Sequence, residues 1–207
     1  MQRATPGTVD GMSTDTRRKS PHVLDALGGA PVGRWVIDPA HSSVTFSVRH
    51  LMSKVRGRFT EVEGRIVVAG RLESCTTTAS VATASVHTGT AMRDDDLRSA
   101  GFFDAQTYPR LTFTSTAVTG DAGRLTVVGD LTIRGVTREV RLDAEFLGLD
   151  ESGLQGEPRI GFSGRTRVRR SDFGVGERPV EGSRLVVGDV VDIELDVEAA
   201  LEDEAEA

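Results

Sequence analysis

The sequence has little cysteine and no long apolar run. Cys75 is the single cysteine among 207 residues, so the chain forms neither an internal disulfide nor a cysteine-based zinc site. We interpret Cys75 as a small, half-buried side chain rather than a reactive thiol. No stretch approaches the roughly 18 consecutive apolar residues that a membrane-spanning helix needs. We therefore expect no integral membrane segment, although transient membrane contact stays open.

Positive charge is also scarce. The chain carries 25 Lys and Arg against 31 Asp and Glu, which gives a net charge of −6. Non-specific binding to nucleic acid requires a positive surface, so nucleic acid is not an expected partner. The N-terminal residues lack the apolar segment of a secretory signal after Arg17, Arg18 and Lys19, whether translation starts at Met1 or Met12. We expect a cytoplasmic protein.

Composition divides the chain into three parts. Residues 1–33 are rich in Gly, Pro, Thr and Arg without a sustained period, which predicts a disordered N-terminal tail, with a short helical turn near residues 22–27 as an alternative. Residues 34–200 form the predicted domain. Residues 201–207 are an acidic C-terminal fringe that we expect to be solvated.

Apolar and polar residues alternate through most of the domain. Polar residues separate the apolar residues Val44, Phe46 and Val48 from one another. The same alternation recurs in about eight segments of the domain. It is typical of β-strands with one face buried in an apolar core and the other exposed to water. Only residues 93–100 have a helical pattern. Closing such strands into an antiparallel barrel buries the dry faces and removes exposed edges. An all-β, eight-stranded barrel with one short helix is the prediction, and a two-sheet sandwich is the alternative.

Histidines and acids suggest possible sites. His41 and His50 are nine positions apart, so on one strand they would point to opposite faces and would not share a metal ion. Each is either a hydrogen-bond donor to a ligand head or a hydrogen-bonded strand-end residue. Asp94, Asp95 and Asp96 are better explained by a helix N-terminus than by a metal, because they lack the spacing of a calcium loop. We expect no metal and no cofactor.

A basic run lies near the end of the predicted barrel. Alternation places Arg165, Arg167 and Arg169 on the outer face, where acids on neighbouring strands can pair with them. Arg170 either supports a turn together with Asp172 or reaches a phosphate or carbonyl group. The sequence contains no G-x-S-x-G, no phosphate-binding glycine-rich loop and no H-E-x-x-H. We therefore predict no catalytic residues and no enzymatic activity.

Several segments, in order, resemble the YceI-like polyisoprenoid-binding family. The resemblance covers Arg34 to Ala199 and is carried by residues 35–50, 55–59, 63–64, 88–89, 93–94, 97–99, 102–104, 108–109, 112–113, 129–133, 135–137 and 170–174. One motif departs from the family pattern. Family members usually have Arg-Asp-x-His-Leu, and Asp96 occupies the position of the histidine in this chain. An acid there would repel a phosphate, which favours a neutral head such as a quinone.

The resemblance implies an elongated, lipocalin-like barrel with an apolar pore for a long isoprenoid, either a polyprenyl phosphate or an isoprenoid quinone, for storage, transport or sensing. It implies no catalytic mechanism. The alternatives are a barrel enzyme acting on a lipid head group and a ligand-free interaction protein. The scarcity of large aromatic residues (8 Phe, 1 Trp and 1 Tyr) also favours an open pore.

The candidate site residues fall into two groups. The apolar tail of the lipid is predicted to contact Phe46, Val48, Phe113, Leu125, Val127, Ile133, Leu142, Phe146, Phe162, Ile193 and Leu195. The head group is predicted to contact His41, His50, Arg93 and Arg170.

Overall fold

The computed structural model describes residues 26–153, 156–176 and 187–202, so residues 1–25 of the predicted tail and 203–207 of the acidic fringe lie outside it. Antiparallel strands dominate the described part. The strands are β1 (Gly33–Ile37), β2 (Ser43–His50), β3 (Ser53–Phe59), β4 (Val62–Val68), β5 (Thr76–Ala82), β6 (Val86–His87), β7 (Arg110–Asp121), β8 (Arg124–Ile133), β9 (Val136–Asp150), β10 (Arg159–Arg169) and β11 (Val187–Leu201). Helix α1 is Ala91–Arg98, and short 3-10 helices are Leu72–Ser74, Thr83–Ser85 and Arg170–Phe173.

Eight of these strands close into an antiparallel ring. The order is β1-β4-β5-β7-β8-β9-β10-β11, and β11 returns to β1 through the pair Trp35↔Leu201. The N-terminal part of β11 pairs instead with β2, which continues the wall through β3 and β6. The predicted eight-stranded barrel with one helix is therefore confirmed, and the sandwich alternative is wrong.

Tight turns connect the long strands. Arg134 and Gly135, between β8 and β9, have φ angles of 52° and 72°, and Ala122 and Gly123, between β7 and β8, have φ angles of 47° and 79°. Two consecutive positive φ angles are the geometry of two-residue hairpin turns whose twist matches that of the strands. Each pair ends in glycine, which adopts a positive φ angle without a steric cost. The helix begins two residues before its predicted start.

Apolar side chains pack in two clusters, one in each half of the barrel. The upper half is the end that contains Trp35, Leu125 and Ala199, whose cluster also includes Val68 and Ile160. The lower half is the opposite end, where the second cluster is Phe59, Val62, Val81, Val86, Leu111, Ile133, Val168, Phe173 and Val175.

The end of the predicted tail belongs to the barrel. Ala26, Leu27 and Ala30 are 1%, 3% and 0% exposed and pack in the upper cluster. Nearby, the Trp35 indole Nε1 donates a hydrogen bond to the Pro31 carbonyl over 3.3 Å. The prediction that the tail extends to residue 33 is therefore wrong for these residues. The segment is too short to show a period, although its Ala and Leu side chains fill the upper end of the barrel.

The barrel wall is incomplete in the lower half. Pairing between β9 and β10 runs from Asp150↔Arg159 to Asp143↔Arg165 and then ends. Just beyond, the Thr166 hydroxyl Oγ1 donates a hydrogen bond to the Arg141 carbonyl over 2.7 Å. Below this point β9 stays paired with β8 and β10 stays paired with β11, so the two strands separate. This separation positions the candidate site.

Candidate functional site

The upper half contains an apolar cavity of about 140 Å³. Its walls come from opposite sides of the ring, since Phe113 on β7, Leu142 on β9 and Leu195 on β11 all line it. Leu27 lines it too, as does Cys75, whose thiol pKa is raised because burial disfavours the thiolate. The predicted tail-binding residues found here are Phe113, Leu125, Val127, Leu142, Phe162 and Leu195.

The lower half contains a larger open cleft of about 1290 Å³. Inward-facing Phe46, Val140 and Ile193 line it, and so do outward-facing arginines such as Arg141 and Arg167. Side chains from both faces of the wall reach one cleft because the wall is interrupted between β9 and β10.

The cavity and the cleft lie at successive levels of one lumen. On β9 the lining changes from Leu142 to Val140, and on β11 it changes from Leu195 to Ile193. On β10 the corresponding residues are Gly164 and Thr166. Two residues of a strand span about 6.6 Å. The small side chains at Ala144 and Gly164 widen the lumen just above this boundary.

Three predicted tail-binding residues line neither space. Ile133 is buried in the lower cluster, and the Phe146 ring packs against Phe162 with 5.3 Å between ring centroids. Val48 pairs with Val55 across β2 and β3. Alternation placed these residues on the inner face, but it could not show that neighbouring side chains cover them.

The two histidines lie at opposite ends of β2. His41 precedes the strand, and its Nδ1 lies 2.8 Å from Asp38 Oδ2. Asp38 also accepts from Arg159 Nη1 over 2.6 Å, and this hydrogen bond is the main reason that its pKa is held well below the usual range. His50 ends β2 opposite Ser53. The pair cannot contact one head group, since the strand between them spans more than 20 Å.

The two predicted arginines are used within the fold. Arg93 Nε donates to Thr88 Oγ1 over 2.7 Å. Arg170 Nε donates to the Gly188 carbonyl over 3.0 Å, and Arg170 Nη1 donates to the Val175 carbonyl over 2.8 Å. Arg170 thus stabilises the turn after β10, as one of the two interpretations predicted. The structure brings none of the four predicted head-group residues to the lining of the cavity or the cleft.

The acids of α1 do not cap the helix as expected. Thr90 is the N-cap residue and makes no side-chain capping bond. Asp94 is buried and accepts from the Thr88 amide over 2.8 Å, and Asp95 pairs with Arg98 over 3.1 Å. Asp96 is exposed and does not line the cleft. The sequence argument that Asp96 repels a phosphate therefore has no support in the geometry.

Sequence reasoning missed the organisation of the outer face beside the cleft. Direct cross-strand neighbours form a first row, Arg165–Glu194–Thr45–Arg58–His87, and a second row, Arg167–Asp192–Ser47–Arg56. Arg167 Nε contacts Asp192 Oδ1 over 2.7 Å, as expected for outward arginines opposite acids. The alternation of β2, β3 and β10 was the available signal, but the rows appear only once the pairing register is known.

The described residues offer neither a metal site nor a membrane-spanning helix. Within them, no three His, Cys, Asp or Glu side chains are placed to hold a metal ion together. No helix of the described chain has the length and apolar character needed to cross a membrane.

Comparison with known proteins identifies the family. The sequence model of the YceI-like domain matches residues 35–199. The chain belongs to the YceI-like family. A UPF0312 protein of Vibrio campbellii is 39% identical over 175 residues, which cover 82% of this chain and 88% of the relative. A UPF0312 protein of Staphylococcus aureus is 31% identical over 172 residues, with 81% and 97% covered.

Solved structures of related proteins have the same fold as this chain. The YCEI protein of Campylobacter jejuni is 31% identical and superposes with a TM-score of 0.65, covering 75% of this chain and 90% of that one. A polyisoprenoid binding domain from Saccharophagus degradans is 18% identical with a TM-score of 0.64, covering 83% and 100%. At that identity the second likeness concerns the fold.

Proposed function

We propose that this YceI-like protein binds one long isoprenoid chain in its lumen, with the tail in the upper cavity and the polar head at the lower cleft. The observation that carries the proposal is the hollow interior. Phe113, Leu142 and Leu195 point inward within a closed ring, yet they remain only half-buried because they face the cavity. A filled barrel would bury such side chains against each other.

The shape favours a chain over a compact ligand. The upper cavity alone is smaller than the roughly 300–1,000 Å³ typical of small-molecule pockets. The lining of the cleft begins at Val140 and Ile193, the next inward residues of β9 and β11, so a flexible chain that passes between the two levels would occupy both. Each CH₂ group buried there contributes about 0.8 kcal/mol before the cost of ordering the chain.

The family relationship supports the class of ligand. The Saccharophagus degradans domain with the same fold is described as polyisoprenoid binding. Polyprenyl phosphates and isoprenoid quinones are the proposed ligands, and storage, transport and sensing are the roles consistent with a binding barrel. Binding rather than catalysis is part of the proposal, as is action without a further cofactor. The cytoplasmic location stays a prediction from the N-terminal sequence.

Filling the cavity tests the proposal. Ala144→Trp introduces a large side chain into the upper cavity, whereas Glu145→Trp places the same side chain at the neighbouring outward position. Binding of geranylgeraniol, measured by displacement of a polarity-sensitive dye, should fall more than tenfold in the first variant and change little in the second. Equal binding by both variants would show that the chain does not occupy the lumen.

A further inference from the structure

His87 is held by a buried carboxylate at the edge of the cleft. It ends β6, and its Nδ1 lies 3.2 Å from Asp94 Oδ2 on α1. The side chain of Asp94 is 6% exposed, while that of His87 is 54% exposed. With a proton on Nδ1, the imidazole donates a hydrogen bond to Asp94 Oδ2, and this bond fixes the orientation of the ring. Nε2 has no hydrogen-bond partner within the described part of the chain, so it is available to a ligand in the cleft.

The carboxylate that orients His87 is itself fixed. Asp94 Oδ1 accepts hydrogen bonds from the amide and the hydroxyl of Thr88. The Thr88 hydroxyl also accepts from Arg93 Nε, which locks the loop between β6 and α1. The bonds from Thr88 are the main reason that the pKa of Asp94 is lowered, so Asp94 is a stable negative partner for a protonated imidazole.

Two arginines lie on the same face as His87. Arg58 is its direct cross-strand neighbour, and Arg56 is two residues along β3. Both arginines line the cleft, and neither forms an ion pair with another residue of the described ranges. Side chains directly opposite each other on antiparallel strands have Cβ atoms about 5 Å apart. An anion in this part of the cleft could therefore contact His87 and Arg58 together.

The candidate anion site and the apolar lining share one cleft at the same level of β3. Gly57 lies between Arg56 and Arg58 on β3, and a Cβ atom built there would come within 2.4 Å of the Phe46 ring and 2.9 Å of the Thr88 methyl group. Phe46 and Thr88 therefore nearly meet over Gly57. Arg56 and Arg58 point to the face of β3 opposite Phe46, an inward residue of the proposed tail path, and the cleft is lined by side chains from both faces.

We propose that His87 and Arg58 bind the phosphate or diphosphate head of the isoprenoid, and that the protonated form of His87 is the binding form. This inference rests on the proposed function for the position of the tail. Nε2–H and the Arg58 guanidinium would donate charge-assisted hydrogen bonds to phosphate oxygens. Asp94 acts as a positioning residue that holds the imidazole and does not touch the head group.

The charges around His87 set the expected pH dependence. Arg58 faces it from β3, while Asp94, Arg93 and Arg98 lie on α1. Asp94 is the negative group beside the imidazole, the phosphate would add a second, and the arginines are the positive groups around it. Histidine side chains generally change charge between about pH 5 and 8. Affinity for an anionic head should therefore rise as the pH falls through this range.

The test uses three probes on the full chain: geranylgeranyl diphosphate, geranylgeraniol and inorganic diphosphate. Calorimetry at pH 6 and pH 8 should show the first binding about tenfold more tightly at pH 6, with geranylgeraniol unaffected by pH. His87→Asn should abolish this pH dependence and leave geranylgeraniol binding unchanged. Its matched control, His50→Asn, removes a histidine outside the cleft and should keep the wild-type behaviour. Arg58→Gln should weaken diphosphate binding at both pH values.

The outcomes separate this inference from the proposed function. A pH dependence that survives in His87→Asn, or that disappears in His50→Asn, would overturn the assignment of His87. Undiminished diphosphate binding in Arg58→Gln would overturn the role of Arg58. Failure of geranylgeraniol and geranylgeranyl diphosphate to bind would refute the lipid proposal. Inorganic diphosphate binding that depends on His87 would still support the anion site in that case. Comparable melting temperatures check that each variant is folded.

Discussion

The upper and lower halves of the barrel are built from the same strands but present different chemistry. In the upper half β9 and β10 are paired, and Leu27 and Trp35 belong to an apolar cluster beside a small cavity. In the lower half β9 and β10 separate, and the outer face beside the gap carries rows of arginines and acids. One pattern of alternation thus produces a dry end and an open, charged end.

Under the proposed function, the two halves have separate tasks. Apolar contacts are non-directional and scale with the buried area, so the upper half suits a chain whose identity matters less than its length. Charged groups add orientation and specificity, so the lower half suits a head group. Substitutions in each half should therefore differ in what they disrupt.

The largest effect on stability is expected from a charge placed in the upper half. Leu195→Asp places a carboxylate against the apolar cavity, where it has no partner, and should cost about 3 kcal/mol of unfolding free energy. Glu194→Leu changes the neighbouring outward residue and should cost within about 0.5 kcal/mol. Urea denaturation of both variants checks this. Similar costs would mean that the two faces of β11 are not distinct.

The N-terminal segment gives the next effect. Leu27→Ala removes a side chain that packs in the upper cluster and lines the cavity, and it should cost about 2–3 kcal/mol. Val32→Ala, at an exposed position of the same segment, is the control and should be nearly neutral. Thermal unfolding measures both. A neutral Leu27→Ala would support the prediction of a disordered tail as far as residue 33.

A smaller effect is expected at the ion-pair network beside β1. Asp38→Asn removes the charge that Arg159 and His41 contact and should cost about 1–2 kcal/mol at pH 7. The pKa of Asp38 is lower in the folded state than in the unfolded state. Its contribution to the free energy of unfolding is therefore complete above the unfolded-state pKa and is lost as the pH falls toward the folded-state pKa.

The difference in unfolding free energy between the wild type and Asp38→Asn, measured by urea denaturation, should therefore decrease from pH 7 to pH 3. Asp196→Asn, at an exposed outward position of β11, is the control. A free-energy difference that stays constant or increases on acidification would contradict the role given to the Asp38 charge.

The smallest effect is expected on the outer face of the lower half. Arg167→Ala breaks the pair with Asp192, but Arg167 is largely exposed and Lys54 also contacts Asp192 over 3.4 Å. Surface pairs of this kind contribute about 0.5 kcal/mol and weaken with salt. Urea denaturation at low and high salt measures the contribution of the Arg167–Asp192 pair to the free energy of unfolding. A loss above about 1.5 kcal/mol would show that these rows stabilise the fold rather than serving the cleft.

The sequence predicted most of the barrel because alternation has a direct physical meaning. Leu195 faces inward and Glu194 outward, as the period of two requires, and the turns at Arg134 and Ala122 follow from local backbone chemistry. The segment around Leu27 was missed because a few residues cannot show a period.

The candidate site was less predictable because it depends on long-range pairing. The separation of β9 from β10 below Asp143 has no local signal, and it determines which inward residues face open space. His41 and His50 were reasonable candidates at strand ends, but a site needs groups from several strands at one level of the barrel. His87 meets that condition with Arg58 through a register that only the fold reveals.

The central claim is that one long apolar chain occupies the lumen. Native mass spectrometry of gently purified protein, followed by organic extraction and mass analysis of the extract, tests it most directly. The account predicts one isoprenoid lipid per chain, or uptake of one when polyprenyl phosphates or isoprenoid quinones of several lengths are added, with Ala144→Trp failing to retain it. An empty wild-type protein that none of these lipids binds or stabilises would contradict the account and favour a ligand-free interaction protein.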